Sequence, residues 1–174
     1  MKLETERLLL REMEDADFDA LYAIFSDAET MQHYPAPFDA EKVKSWIARN
    51  QKRYREDGFG LWTVVLKSTG EIIGDCGITL QNINGEMLPE IGYHTRKDKW
   101  RQGFATEGAA TCMRYAFEEL QLPAVYSYMK YTNAASYGVA IKNGMRFVEE
   151  YPDPVNTKTR VYAITREEWL EKRT

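Results

Sequence analysis

Between Trp100 and Gly108 the chain reads Trp-Arg-Gln-Gly-Phe-Ala-Thr-Glu-Gly, a basic, glycine-containing turn that runs straight into a helix. Behind it Ala105, Ala109, Met113, Ala116, Phe117 and Leu120 recur at helical spacing. Ahead of it Pro89-Glu90-Ile91-Gly92-Tyr93-His94 reads as a strand. A strand, a short loop and a helix start aim backbone N–H groups and the positive end of the helix dipole at one point. Anions bind there, phosphates above all. Four bases (Arg96, Lys97, Lys99, Arg101) against Asp98 put a basic collar on that point. A second basic stretch, Lys42 to Arg55, suits a solvated helix face better than a site.

The remaining elements must position this loop. Leu3 to Met13 reads as a first strand, with Asp15 as N-cap of a helix that carries Phe18, Leu21, Tyr22 and Phe25 on one face. Asp39 caps a second helix with the stripe Val43, Trp46, Ile47 and Tyr54, ending before Gly58. Between these helices Met31 to Phe38 is aromatic and irregular, either a wall of a substrate pocket or a linker. Leu61–Leu66 and Ile72–Leu80 form an antiparallel hairpin through a Ser68-Thr69-Gly70 turn, and another turn from Asn82 to Gly85 leads to the strand before the motif loop. Pro123 stops the helix after the loop, and Val125–Met129 is a strand. Asn133 opens a helix with Tyr137, Ala140 and Ile141 inward and Gly144 as its stop. Arg146–Glu150 and Thr159–Ile164 are the last strands, and Thr165-Arg166-Glu167-Glu168 fits a capping box on a short terminal helix. The expected architecture is one α+β domain over residues 1–174, with a mixed, mostly antiparallel sheet and a β-α-β crossover spanning the motif loop.

With 174 residues, 44% hydrophobic and 13% aromatic, the chain can build a sizeable core. It lacks the roughly 20-residue apolar run of a membrane span, and its N-terminus lacks a signal core. A net charge of −4 argues against a general nucleic-acid binder. Cys76 and Cys112 sit inside apolar elements and read as buried free thiols of a cytoplasmic protein. Two cysteines and two histidines, all far apart, match no metal-ligand spacing. No Walker-type or dinucleotide-binding glycine motif is present.

Four pieces, in order, resemble the GNAT superfamily of N-acetyltransferases, and more closely the branch with the ribosomal-protein N-terminal (alanine/serine) acetyltransferases. They are Glu4-Thr5-Glu6-Arg7-Leu8-Leu9-Leu10-Arg11, Glu90-Ile91-Gly92-Tyr93, Gly103-Phe104-Ala105-Thr106-Glu107, and Asn133-Ala134-Ala135-Ser136 followed by Lys142-Asn143-Gly144-Met145-Arg146-Phe147. The resemblance spans essentially the whole chain. It implies a six- to seven-stranded sheet with helices on both faces and a splay between the fold's fourth and fifth strands. It further implies acetyl-CoA as co-substrate, a primary amine as acceptor (a protein N-terminus or a small molecule), and no metal. Dimers are common in the family, which leaves a homodimer open.

By that resemblance the pantetheine arm lies along Ile91, Gly92, Tyr93 and His94, and the pyrophosphate sits on Arg101, Gln102, Gly103, Phe104, Ala105 and Thr106. Asn133, Ser136 and Tyr137 close the other side. Two departures stand out. Arg101 occupies a position where the family favours glycine, and Ala140 replaces a tyrosine that many members use as an acid. Ser136 is therefore the candidate acid for the departing thiolate, with a plain N3 capping role as the alternative and Tyr137, better suited to core packing, as a nearby second candidate. Glu90 is the candidate base, directly or through water, or else a solvated strand residue. A non-catalytic acyl-CoA sensor of the same fold is the competing reading.

Overall fold

The computed structural model describes every residue from Met1 to Thr174. Eight strands form one sheet in the order β1-β2-β3-β4-β5-β6-β8-β7. They are β1 (Lys2–Glu4), β2 (Leu8–Arg11), β3 (Leu61–Leu66), β4 (Ile72–Ile83), β5 (Glu86–Thr95), β6 (Ala124–Lys130), β7 (Arg146–Asp153) and β8 (Thr157–Thr165). Five helices pack on it: α1 (Phe18–Phe25), α2 (Ala40–Glu56), α3 (Phe104–Glu118), α4 (Ala134–Lys142) and α5 (Arg166–Glu171). Every strand pair is antiparallel except β5 with β6, which is parallel.

The eighth strand comes from Leu3–Met13, which is a tight hairpin, not one strand. Thr5 turns the chain: its N–H donates to the Leu8 carbonyl and its Oγ1 accepts from the Leu8 N–H, each 2.9 Å. Asp15 is not a cap either. It opens a 3-10 turn capped by Glu14, and the buried carboxylate of this segment is Asp17, bound by both terminal nitrogens of Arg11 (2.9 and 2.8 Å) and by Thr63 (2.9 Å). That cluster anchors α1 to the sheet. The caps on the later helices are as expected. Asp39 accepts from Lys42 N–H, Asn133 from Ser136 N–H and Thr165 from Glu168 N–H.

Two apolar clusters lie on the two faces. The larger joins Leu8, Trp62, Cys76, Ile78, Ile91 and Val125 to the inner side of α3, with Cys112, Met113, Ala116 and Phe117. The smaller joins α1 and α2 through Leu21, Ile24, Phe25, Phe38, Val43 and Ile47. Ile141, expected inward on α4, is 55% exposed, and Ala140 alone of that helix is buried. With one buried position, α4 rests on its neighbours by a narrow stripe. None of the helices is long and apolar enough to cross a membrane.

Candidate active site

The site is built on a gap. β5 and β6 share one paired position, Glu90 with Tyr126, and then diverge. Ser127 Oγ donates to the Ile91 carbonyl at 3.4 Å at the vertex. The pleat decides which main-chain groups face the opening. The Ile91 carbonyl turns toward β6, whereas Arg96 N–H donates to Ile73 on β4. Alternation then turns Ile91 and Tyr93 to the gap and Gly92 and His94 to β4. Of the four residues expected to present backbone groups, the odd-numbered pair does so. Gly92 serves differently: a Cβ there would lie 3.1 Å from a Glu90 carboxylate oxygen, so its absence leaves that carboxyl its place.

The motif loop lies at the mouth of the gap. Trp100 Nε1 donates to the Thr95 carbonyl at 2.7 Å and fixes where the loop leaves β5. Arg101 (φ 60°) and Gly103 (φ 81°) are both left-handed, with Gln102 between them. These turns bring successive amides to one side of the chain. The N–H groups of Arg101 through Thr106 have no acceptor in the protein, and α3 has no side-chain cap. A run of unpaired amides at a helix start, with a glycine at its left-handed turn, is a cradle for a phosphate-sized anion. The Phe104 side chain belongs to the core instead, under the Arg7 guanidinium at 4.1 Å. Arg7 also donates to the Gln102 carbonyl (2.9 Å) and to Glu107 (2.8 Å). The first hairpin thus clamps the loop and neutralises the carboxylate nearest the cradle. The basic collar is thinner than its sequence suggests. Arg96 is paired with Asp98 and Glu71, and Lys97 with Asp27 and Glu29, which leaves Lys99 and Arg101.

On the α1–α2 side of the sheet the gap opens into a cleft of about 160 Å³. Glu90, Ile91, Gly92, Tyr93, His94, Asn133 and Ser136 all line it, together with Tyr34, Trp46, Thr79 and Tyr128. The Glu90 carboxyl makes no hydrogen bond to the protein, and burial followed by the charge of Asp75 pushes it up to about 8, against a partial offset from Arg53. A carboxyl poised there is half protonated near pH 8, within reach of the range suited to a general base.

Across the gap Ser136 sits at the N3 position of α4 and lines the cleft. Its N–H is capped by Asn133 Oδ1 (3.2 Å), and its hydroxyl faces the cleft 3.4 Å from Tyr93 Oη, which itself donates to the Ser136 carbonyl (2.7 Å). Asn143 Nδ2 donates to the Thr106 carbonyl (3.3 Å), so the end of α4 is tied to the first turn of α3. Tyr137 is not brought to the cleft. Its ring stacks on Tyr162 (6.0 Å) beneath the Arg160 guanidinium (4.9 Å), so it packs α4 on β8.

Asp75 and Trp46 were missed in sequence as site residues, whereas His33 and Tyr34 bring the Met31 to Phe38 stretch to the cleft as a wall. A signal existed for Asp75. Asn84 (φ 50°) and Gly85 (φ 92°) form a two-residue turn that pairs Ile83 with Glu86. An Asn-Gly hairpin turn fixes the register, and with it Thr79 opposite Glu90 and Asp75 opposite His94.

Residues 7–146 match the family model described as an acetyltransferase (GNAT) domain. The uncharacterized protein YkkB of Bacillus subtilis (strain 168) is 37% identical over 147 residues, 84% of this chain and 86% of YkkB. The uncharacterized N-acetyltransferase YnaD of the same organism is 31% identical over 175 residues, 97% of this chain and 99% of YnaD. Among solved structures, a GNAT-family acetyltransferase from Bacillus anthracis superposes with a TM-score of 0.81 at 26% identity, covering 96% of this chain and 99% of that one.

Proposed function

Because this chain belongs to the GNAT acetyltransferases and is an acetyl-CoA-dependent N-acetyltransferase, we propose that its acceptor is an α-amine, a peptide N-terminus before a lysine-type amine. The observation that carries this is the Glu90 carboxyl, pushed up to about 8 in the cleft beside the gap. An α-ammonium titrates near 8 and a lysine ammonium near 10.4, roughly. Passing a proton from an α-ammonium to Glu90 is close to thermoneutral. From a lysine ammonium it costs about 2.4 units, or roughly 3 kcal/mol, some hundredfold in rate.

In this reading the amides of Arg101 to Thr106 hold the pyrophosphate, and Ile91 and Tyr93 hold the pantetheine arm by their main chains. A strand N–H polarises the thioester carbonyl. The acceptor loses a proton to Glu90, directly or through water. Its nitrogen then attacks the carbonyl carbon, the C–N bond forms and the C–S bond breaks. The thiolate takes its proton from the Ser136 side, where the hydroxyl meets Tyr93 Oη, and the second proton shed by the nitrogen as it becomes an amide replaces it. Residues 1–174 act here as one catalytic domain.

The test is thiol release from acetyl-CoA across unblocked peptides, amino acids, polyamines and aminoglycosides. Peptide α-amines should give the highest kcat/KM. Preference for a polyamine or aminoglycoside by tenfold or more would overturn the acceptor assignment. Ser136→Ala should lower kcat at least tenfold and change coenzyme affinity less than threefold, since Asn133 caps a main-chain N–H that alanine retains. An unchanged kcat, with chemistry rate-limiting, would return Ser136 to a capping role.

A further inference from the structure

His94 lies four residues beyond Glu90 on the same face of β5, with only Gly92 between them on that face. Its Nδ1 is 2.8 Å from Asp75 Oδ1, and the other Asp75 oxygen accepts from Trp46 Nε1 at 3.0 Å. Asp75 is 1% exposed. A carboxylate only accepts, so Nδ1 carries a proton, and the neutral ring then keeps its lone pair on Nε2. Phe25, Tyr34 and Trp46 box the imidazole, with ring centroids at 5.1, 5.2 and 6.0 Å. Nε2 is buried there and has no hydrogen-bond partner. An unpaired buried acceptor is costly and rare in folded proteins. This one belongs to a side chain lining the same cleft as Glu90.

The spacing decides what could satisfy it. The Glu90 carboxyl leans over Gly92, where a Cβ would meet it at 3.1 Å, so it stands about two strand residues, roughly 7 Å, from His94. One nitrogen between two acceptors bridges at most about 6 Å, two hydrogen bonds end to end. A single amine therefore cannot serve both Glu90 and His94. In an extended peptide the α-amine and an N–H one or two residues on lie about 3.5–7 Å apart. With a hydrogen bond at each end such a pair reaches up to about 9–13 Å, which covers that separation.

We propose that His94 Nε2 accepts a hydrogen bond from a second N–H of the acceptor, beyond the amine held at Glu90, and that the Asp75–His94 pair thereby selects peptide-like acceptors over simple monoamines. Asp75 is the positioning residue that fixes the tautomer. Tyr34, 41% exposed, is the one ring of the box that lies outside any helix or strand. The inference rests on the acetyl-transfer reading of the cleft.

Two variants test it. His94→Phe keeps a ring in the aromatic box and removes the lone pair. Asp75→Asn can still accept from Trp46 through its amide oxygen, but its N–H₂ donates to Nδ1 and forces the proton onto Nε2. Each is assayed for acetyl transfer to tetra-alanine and to n-butylamine. In both variants the kcat/KM ratio of tetra-alanine to n-butylamine should fall at least tenfold, mainly through the KM of the peptide. A ratio within twofold of wild type overturns the proposal, whatever the absolute losses. Failure of wild type to release thiol with any amine would instead count against the acetyl-transfer reading. In that event the proposal is read by ¹⁵N NMR of the two histidines in the chain. The His94 Nε2 resonance should move as tetra-alanine is added to the coenzyme A complex, and an unmoved resonance overturns the proposal.

Discussion

Glu90→Gln is expected to lower kcat/KM for the acceptor by about 100-fold or more at pH 8, the ordinary contribution of a positioned base, while making the protein more stable. The two effects share one cause. Burial and then the charge of Asp75 disfavour the Glu90 carboxylate, raising its folded-state value from an ordinary 4.5 to about 8. The unfolded chain releases this proton near 4.5, the folded chain near 8. Between those values the unfolded state binds fewer protons, so stability falls as pH rises through this window and levels off above it. Discounted for the partly open cleft, the penalty at pH 8.5 is on the order of 2–4 kcal/mol. Glutamine fills the same space without the charge. The variant should melt roughly 5–10 °C above wild type at pH 8.5 and within about 2 °C of it at pH 5. Differential scanning at the two pH values, alongside the thiol-release assay, checks both halves. Equal melting shifts at both pH values would mean that the carboxyl is not held protonated. Retained activity would remove it from the chemistry. A site that gives up stability for a poised acid or base is a familiar trade-off.

Gly103→Val should weaken coenzyme A binding by at least 100-fold in calorimetric titration. Gly103 sits at φ 81°, a conformation that a β-branched residue adopts only under strain of about 1–3 kcal/mol. A Cβ there would make only ordinary contact with the Arg7 guanidinium, at 3.4 Å, but the two methyls beyond it would crowd the run of free amides. Gly103→Asn separates these causes, because asparagine tolerates left-handed backbone. It should bind coenzyme A with an affinity between those of wild type and the valine variant. Wild-type affinity in the valine variant would mean that the pyrophosphate lies elsewhere.

Much of this site could be read before any coordinates, and what could not has physical reasons. The motif loop was legible because a helix start has the same consequence in any fold: free amides and a dipole. Arg101 was flagged as a residue where glycine is favoured, and it does take the left-handed conformation at φ 60°. Glu90 was legible as a position but not as a chemical state. Its elevated proton affinity comes from the cleft around it and from Asp75 on the neighbouring strand, neither of which β5 itself encodes. Asp75 could have been placed by treating Asn84-Gly85 as a two-residue turn. A broader turn from Asn82 to Gly85 leaves the register open, and a one-residue slip moves every side chain to the other face. The first hairpin was hidden in a run with strand-like composition throughout, broken only by the side-chain turn at Thr5. Ile141 illustrates the limits of helical periodicity, although Tyr137 on the same predicted face does pack on Tyr162. The periodicity assigns a face to α4, but the one buried position, Ala140, shows how little of that face is covered.

The most direct test of the account uses one peptide with a free α-amine and a single internal lysine, incubated with acetyl-CoA at pH 7. At that pH about a tenth of the α-amines and fewer than about one in a thousand lysine amines are neutral in solution. Mass spectrometry then locates the acetyl group. Acetylation of the α-nitrogen, at least tenfold faster than at the lysine and lost in Glu90→Gln, is the expected result. Acetylation at the lysine, or at neither nitrogen while thiol is released, would contradict it.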